Sequence, residues 1–186
     1  MASGKQTGLT GPNINNVYFQ IAETGVTWLL GRDHMPGTAA IGAWYQNGLI
    51  QGFAHSENDA AGLYLFGSQR LWYKHPDIDV SGISMFYQYG VNNSRALSVK
   101  QYIGAGLTAF GLVANRLDDS MGLGIAFSWL NQNTFPRSTE LMYQAYYQAK
   151  VINGLYLEPA LSYIPAPGQN PHHSDFAGTI RIIAVF

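Results

Sequence analysis

The sequence predicts an all-β fold, an antiparallel transmembrane β-barrel with about nine strands in this chain. Three observations lead to it. Charged residues make up 11% of the 186 residues, against about 25% in ordinary soluble domains. Apolar and polar residues alternate over long segments, and a period of two is the pattern of a strand with two different faces. These segments exceed the roughly five or six residues of a typical soluble strand, as expected for strands that cross a bilayer.

The clearest pair of strands lies between Ser138 and Tyr163. Small, apolar or aromatic residues alternate with mostly polar ones from Leu141 to Val151, and the alternation resumes after residue 154. Asn153-Gly154 separates the two runs, and this dipeptide favours a type I′ turn because both central positions need positive φ. The segment therefore predicts a hairpin of two long strands.

The same alternation predicts seven further strands. Their predicted bounds are Asn16–Leu29, Thr38–Gln46, Ala61–Lys74, Val80–Val91, Val99–Val113, Met121–Asn131 and Phe176–Phe186.

Residues 1–15 are rich in Gly, Ser, Asn and Pro and predict a loop, so that 16–186 form a single barrel domain. The connections are expected to alternate between tight turns and longer loops, with 47–60 as a long polar loop at the mouth. If the C-terminus lies in the periplasm, the first and last strands both descend, and residues 1–15 start outside the cell. An odd number of strands favours the C-terminal part of a larger barrel, because bacterial single-chain barrels have even numbers.

Composition argues against several other classes of protein. The net charge of -1 gives no basic surface for nucleic acid. No run of about 18 apolar residues predicts a membrane helix, and the absence of Cys removes thiol catalysis and thiolate metal sites. The first residues contain no apolar segment typical of a secretory signal, which favours a mature or partial chain.

No residue pattern predicts catalysis, a metal site or a cofactor. His172, His173 and Asp175 lie in a Pro- and Gly-rich segment that predicts a solvated loop. Asp118-Asp119 is expected to serve turn formation. Nucleophile elbows, phosphate loops and zinc signatures are absent from the sequence, so an enzyme is not expected.

The final strand ends in Phe186 after regular alternation. This ending resembles the C-terminal signal that the outer-membrane barrel assembly machinery reads. The resemblance implies that Phe186 serves targeting and assembly.

Several segments together resemble a known family. They are GLYLFGSQRLWYK (62–74), residues 99–130 with Arg116-Leu117-Asp118-Asp119 and Gly122-Leu123-Gly124, the hairpin 139–163 with its run Tyr156–Tyr163, and the closing GTIRIIAVF. In this order they are similar to the C-terminal part of the carbohydrate-selective outer-membrane porins (OprB type). The resemblance implies a 16-stranded barrel, of which this chain would be a portion. It also implies passive diffusion of small sugars across the outer membrane without a cofactor.

A pore that favours sugars needs aromatic faces for the apolar side of the ring and polar groups for the hydroxyls. The alternation supplies ten side chains that are expected to face such a lumen. They are Trp44, Tyr64, Arg70, Lys100, Tyr102, Gln144, Tyr146, Lys150, Glu158 and Arg181.

Some of these charges have a simpler interpretation as structural ion pairs. Lys150 and Glu158 lie nearly opposite each other across the Asn-Gly turn and are expected to pair with each other. On the other face, a second set of aromatic residues predicts the girdles found at bilayer interfaces. They are Tyr87, Tyr89, Trp129, Tyr143, Tyr147 and Tyr163.

Two alternatives stay open from the sequence. One is a soluble ligand-binding barrel or sandwich, which would remain in solution without detergent. The other is an outer-membrane barrel of another class, an export channel or an enzyme. An enzyme would require a Ser/His/Asp constellation near a rim.

Overall fold

A computed structural model of the chain describes residues 2–3, 13–14, 18–52, 55–76, 78–170 and 172–185. Within them, nine strands form one sheet in which each strand pairs antiparallel with the next in sequence. The strands are β1 (Phe19–Leu30), β2 (Met35–Gln51), β3 (Ser56–Tyr73), β4 (Gly82–Asn92), β5 (Val99–Phe110), β6 (Ser120–Leu130), β7 (Thr139–Ile152), β8 (Leu155–Ile164) and β9 (Asp175–Ala184). Two short strands, Ala2–Ser3 and Asn13–Ile14, form a separate antiparallel pair.

The strand register gives the sheet two chemically different faces. The polar face carries alternate residues of every strand, among them Trp44, Tyr64, Ser84, Tyr102, Ser128, Gln144 and Ser162. The apolar face carries the residues between them, among them Ile41, Leu63, Tyr89, Ile103, Phe127, Leu141 and Leu161.

The described part of the chain contains no layer that covers the apolar face. Its only buried hydrophobic residues are Ala60, Ala96, Leu130 and Ala160. By contrast, Leu123 is 68% exposed and Ile180 is 73% exposed. A soluble monomer rarely exposes so wide an apolar surface, so the single sheet fits a wall against lipid and argues against a soluble sandwich. No helix that is long and apolar enough to cross a membrane occurs among the described residues.

Strands β1 and β9 form the two edges of the sheet and do not pair with each other. Because the nine strands alternate in direction, the two edge strands run the same way. Nearly every residue of both strands is exposed. Both edges therefore present unpaired backbone groups that a complete barrel wall would satisfy.

The predicted loop 47–60 is wrong in its main part. Strands β2 and β3 continue through it, and only residues 52–55 connect them. The last pairs with the neighbouring strands are Gln46 with Phe19 and Gly62 with Asn92. Residues 47–52 and 55–61 therefore form a ribbon that projects beyond the sheet, called the β2–β3 ribbon below. Its polar, Gly-containing sequence resembles a loop because neither side of a projecting ribbon has to be apolar.

The expected tendency of tight turns to alternate with longer or more polar loops is seen only in part. The upper end of the sheet carries the connections 52–55, 93–98, 131–138 and 165–174, and the lower end carries 31–34, 74–81, 111–119 and 153–154. Connections 74–81 and 111–119 at the lower end are both longer than 52–55 at the upper end. The two ends are therefore not distinguished by loop length.

A β-bulge changes one predicted face in β3. Strict alternation from the predicted lumen residue Arg70 would put Trp72 on the same face, but the register shifts between these two residues and Trp72 lies opposite Ile83. The extra residue, Leu71, moves Trp72 to the apolar face. Asn16 and Phe186, which bound the first and last predicted strands, lie outside the described residues.

Candidate functional site

Nine of the ten predicted lumen side chains belong to one face by strand register. Trp44, Tyr64, Arg70, Tyr102, Gln144, Tyr146, Lys150, Glu158 and Arg181 all lie on the polar face. The tenth, Lys100, occupies a bulge between Val99 and Gln101 and is exposed. The polar face extends over all nine strands, so the ten residues form a wall rather than one compact site.

Four of the ten meet at a cavity of about 280 Å³ toward the upper end. Trp44, Tyr64, Lys100 and Tyr102 line it together with Asn92. The cavity combines three aromatic rings with an ammonium group and an amide. This combination can stack on an apolar ring and hydrogen-bond to hydroxyl groups.

The aromatic rings of the polar face lie against the wall instead of projecting from it. Gly42, opposite Tyr64 in the neighbouring strand, leaves room for the tyrosine ring, and a Cβ at Gly42 would overlap it. Trp44 covers Gly62 in the same way, and Tyr102 covers Gly90. Glycines in the strands therefore let the rings show their faces to the space in front of the sheet.

The sequence did not predict two residues of the polar face, Glu23 and Phe86. The Tyr64 hydroxyl donates a hydrogen bond to Glu23 over 2.8 Å, and Phe86 lies over Gly106. The alternation of β1 is irregular, which hid Glu23, and an apolar Phe gives no signal for a polar wall. The hydrogen bond of Glu23 holds the Tyr64 ring in place.

Gln144 and Tyr146 are bound to neighbouring strands. The Gln144 amide donates to the Ser162 hydroxyl over 3.1 Å. The hydroxyls of Tyr146 and Thr108 lie 3.1 Å apart. These two candidates therefore stiffen the wall as well as lining it.

The predicted pair of Lys150 and Glu158 is wrong. The register places Lys150 opposite Tyr156, and its Nζ donates to Asp118 over 2.9 Å. Glu158 lies opposite Arg181 and accepts from its guanidinium over 2.9 Å. The charges of both candidates are therefore compensated by partners other than each other.

Asp119 has a larger role than the turn residue that was predicted. Its buried carboxylate accepts hydrogen bonds from the Tyr147 hydroxyl, the Lys150 backbone N–H (2.9 Å) and the Arg116 Nε (2.7 Å). Burial acts to raise the pKa of Asp119, but these three hydrogen bonds outweigh it and hold the pKa below its usual range. The residue thus fastens the connection 111–119 to β7.

At the upper end, the β2–β3 ribbon is fastened to the next connection. The Glu57 carboxylate accepts from the Ser94 hydroxyl over 2.7 Å and from the Arg95 backbone N–H over 2.9 and 3.0 Å. The fully buried Asn131 side chain donates to the carbonyls of Arg95 and Leu97. The ribbon, the connection 93–98 and β6 are therefore linked into one rim.

Connection 165–174 joins this rim at its other side. The Gly168 N–H donates to the Glu140 carboxylate over 2.7 Å. His172 and His173 are exposed in the same connection. The described residues contain no group of three His, Cys, Asp or Glu side chains that could hold a metal ion.

A family model for the carbohydrate-selective porin, OprB family, matches residues 18–183. The chain belongs to this family. The match covers all nine strands except Ala184, the last residue of β9, and it accords with an outer-membrane barrel wall.

The solved structure titled "High pH structure of Pseudomonas putida OprB" has a similar fold. Its TM-score with this OprB family chain is 0.68 at 20% sequence identity, over 88% of this chain and 48% of that one. The chain thus spans about half the length of that structure. A search of curated protein sequences gave no match.

Proposed function

We propose that this chain forms part of the wall of an outer-membrane pore through which small sugars diffuse passively. Membership of the carbohydrate-selective porin family and the two-faced sheet support the proposal. The single observation that carries it is the cavity of the polar face, where Trp44, Tyr64 and Tyr102 lie beside Lys100. The polar face would line the water-filled lumen, and the apolar face would contact lipid.

The proposed mechanism is exchange of sugar hydration for contacts with the wall. Rings that lie flat on glycines offer a stacking surface for the apolar side of a sugar without narrowing the pore. Lys100 and Asn92 supply polar groups at the edge of the same cavity. Such contacts lower the barrier for a sugar relative to other solutes of its size. No catalytic step, cofactor or metal takes part.

Antiparallel closure of the wall requires an odd number of additional strands. β1 and β9 run in the same direction. The first and the last of the additional strands must therefore both run opposite to them if every pair is to be antiparallel. Nine strands plus an odd number give the even total of bacterial single-chain barrels. Lipid, small carbohydrates and the barrel assembly machinery are the proposed partners, with Phe186 as the assembly signal.

The first test is gel migration of the purified chain, refolded in detergent micelles, with and without boiling. A shift on boiling would show that these residues close a barrel alone or as an oligomer. Sugar-driven swelling of liposomes then measures permeation. A protein that stays soluble and monomeric without detergent would overturn the proposal.

Substitution separates a sugar contact from a structural role. Tyr102→Ala removes one ring of the cavity, and Tyr89→Ala removes a matched ring of the apolar face. We expect Tyr102→Ala to lower the swelling rate for sugars relative to the conductance for small ions, and Tyr89→Ala to leave this ratio unchanged. Equal ratios in all three proteins would contradict stacking at the cavity.

A further inference from the structure

Arg70 carries a positive charge that no described residue compensates. Two other cations of the polar face have carboxylates close to them. Lys150 pairs with Asp118, and Arg181 pairs with Glu158. Ion pairs of the described residues do not include Arg70, and its Nη1 is buried without an acceptor among them. A buried donor without an acceptor is costly, which points to a missing partner.

Two aromatic rings lie within cation–π distance of this guanidinium. The Cζ of Arg70 lies 4.9 Å from the ring centre of Tyr73 and 4.9 Å from that of Phe110. Tyr73 and Phe110 lie on either side of Gly82, in neighbouring strands of the polar face. A Cβ at Gly82 would overlap the backbone carbonyl oxygen of Trp72, so the register requires glycine here. The guanidinium carbon is thus equally close to two rings from the strands on either side of Gly82, and this arrangement is called the slot below.

The slot restricts what can bind. The rings of Tyr73 and Phe110 occupy space close to the guanidinium carbon, so a ligand must reach the guanidinium from the directions that the rings leave open. A carboxylate is planar and accepts two parallel hydrogen bonds from the edge of a guanidinium. A tetrahedral anion needs more space around that edge than a flat group does.

We propose that Arg70, Tyr73 and Phe110 form a binding site for the carboxylate of a sugar acid. The site would make the pore favour the acid form of a sugar over its neutral counterpart. This inference rests on the proposed function, because it requires that the polar face line the lumen. It adds a lower-end site to the aromatic cavity near the upper end.

Calorimetric titration of the micelle-refolded protein tests the site directly. The probes are glucuronate, its neutral methyl ester and glucose. We expect glucuronate to bind about tenfold more tightly than its methyl ester, and the preference to fall at high salt. Arg70→Gln should abolish the preference, whereas Arg70→Lys should keep only part of it because an ammonium lacks the planar fork. Arg32→Gln, which removes an exposed arginine from the lower connection 31–34, should leave it intact.

The outcomes separate this inference from the proposed function. If glucose drives swelling but glucuronate and its methyl ester bind equally, the proposed Arg70 site is wrong and the proposed pore stands. Arg70-dependent binding of glucuronate by protein that shows the heat-dependent gel shift but no sugar-driven swelling would support the site and reject the pore. If Arg70→Gln loses its heat-dependent gel shift, Phe110→Leu replaces it, since removal of one ring should weaken glucuronate binding while the charge remains. Unchanged binding in Phe110→Leu and Arg70→Lys would then reject the site.

Discussion

The hydroxyl of Tyr147, on β7, donates a hydrogen bond to the carboxylate of Asp119, in the connection between β5 and β6. The same carboxylate accepts the backbone N–H of Lys150, where the pairs between β6 and β7 end at Ser120 and Gln148. The Asp119 side chain thus adds one more hydrogen bond between these two segments, just beyond the last backbone pair of β6 with β7. The connection 111–119 is therefore fastened to β7 by one buried carboxylate.

Replacement of Asp119 by Ala should destabilise the folded protein strongly. The change leaves the Tyr147 hydroxyl and the Lys150 N–H without their acceptor, and a hydrogen bond to a charged group contributes about 2 kcal/mol. We expect a loss of unfolding free energy of about 2–4 kcal/mol. Urea unfolding in detergent micelles, followed by tryptophan fluorescence, measures it.

The neighbouring Asp118 provides the control for this experiment. Its side chain is 63% exposed and contacts only the Lys150 ammonium among the described ion pairs. Asp118→Ala should therefore change the unfolding free energy by less than about 1 kcal/mol. Equal effects of the two substitutions would show that Asp119 is an ordinary turn residue.

The stability that Asp119 provides should disappear in acid. Burial acts to raise the pKa of Asp119, but hydrogen bonds from Tyr147, Lys150 and Arg116 outweigh burial and hold the pKa below its usual value. A carboxyl group with a lowered folded pKa contributes its full stability above the unfolded pKa of about 3.9. The contribution is lost as the pH falls through the folded pKa.

The measurement compares the unfolding midpoints of the wild type and Asp119→Asn in urea between pH 3 and pH 8. We expect a constant difference above about pH 5 and a shrinking difference below about pH 4. A difference that grows in acid would contradict the assigned role.

Gly42→Ala should disturb the cavity of the polar face. A Cβ at this position overlaps the Tyr64 ring, which must move away from the wall and lose its hydrogen bond to Glu23. The displaced ring should project into the lumen, so we expect a lower single-channel conductance and slower swelling with sugars. Planar bilayer recordings measure the conductance.

Gly178 gives the matched control, because nothing lies within 4 Å of a Cβ built there. Gly178→Ala should leave conductance and swelling at wild-type values. If Gly42→Ala also leaves both unchanged, the Tyr64 ring does not border the conducting path.

The sequence predicted the repeated elements of the fold well, because alternation and turn chemistry are local. The hairpin expected between Ser138 and Tyr163 is confirmed as β7, the turn at Asn153-Gly154 and β8. Gly154 has a φ of 76°, but Asn153 is not among the described residues with positive φ, so the turn is not the predicted type I′. The family resemblance is confirmed as well.

The errors arise where one residue shifts a register or where a residue has a distant partner. The bulge at Leu71 moved Trp72 to the other face, and a period-two pattern contains no sign of a single inserted residue. Glu158 pairs with Arg181 of β9, the next strand in the sheet. The turn at Asn153-Gly154 suggested Lys150 instead, because it brings only β7 and β8 together. The slot of Arg70 likewise requires β3, β4 and β5 in register, so alternation showed its face but not its two rings.

Glu57→Ala should release the β2–β3 ribbon from the rim. The Glu57 carboxylate is the acceptor for both the Ser94 hydroxyl and the Arg95 backbone N–H, and the ribbon projects beyond its pairs with β1 and β4. Without these bonds the connection 93–98 keeps its links to Asn131 and its hydrogen bonds between Asn93 and Ala61 at the base of the ribbon, but the outer part of the ribbon is no longer bound to Ser94 and Arg95. We expect the Arg95 amide to exchange with solvent at least tenfold faster, because exchange requires only a local opening. Hydrogen exchange followed by mass spectrometry measures this rate.

The ribbon's position decides whether it restricts the mouth of the pore. While Glu57 binds the connection 93–98, the ribbon is held beside the wall at the upper end, and a released ribbon is free to move across the opening. Glu57→Ala should therefore increase current fluctuations in planar bilayers, whereas Ser56→Ala, an exposed residue of the same ribbon, should not. Faster exchange at Arg95 with a quiet current would place the ribbon away from the conducting path. Slow exchange together with increased fluctuations would show that Glu57 acts on permeating ions directly and not through the ribbon.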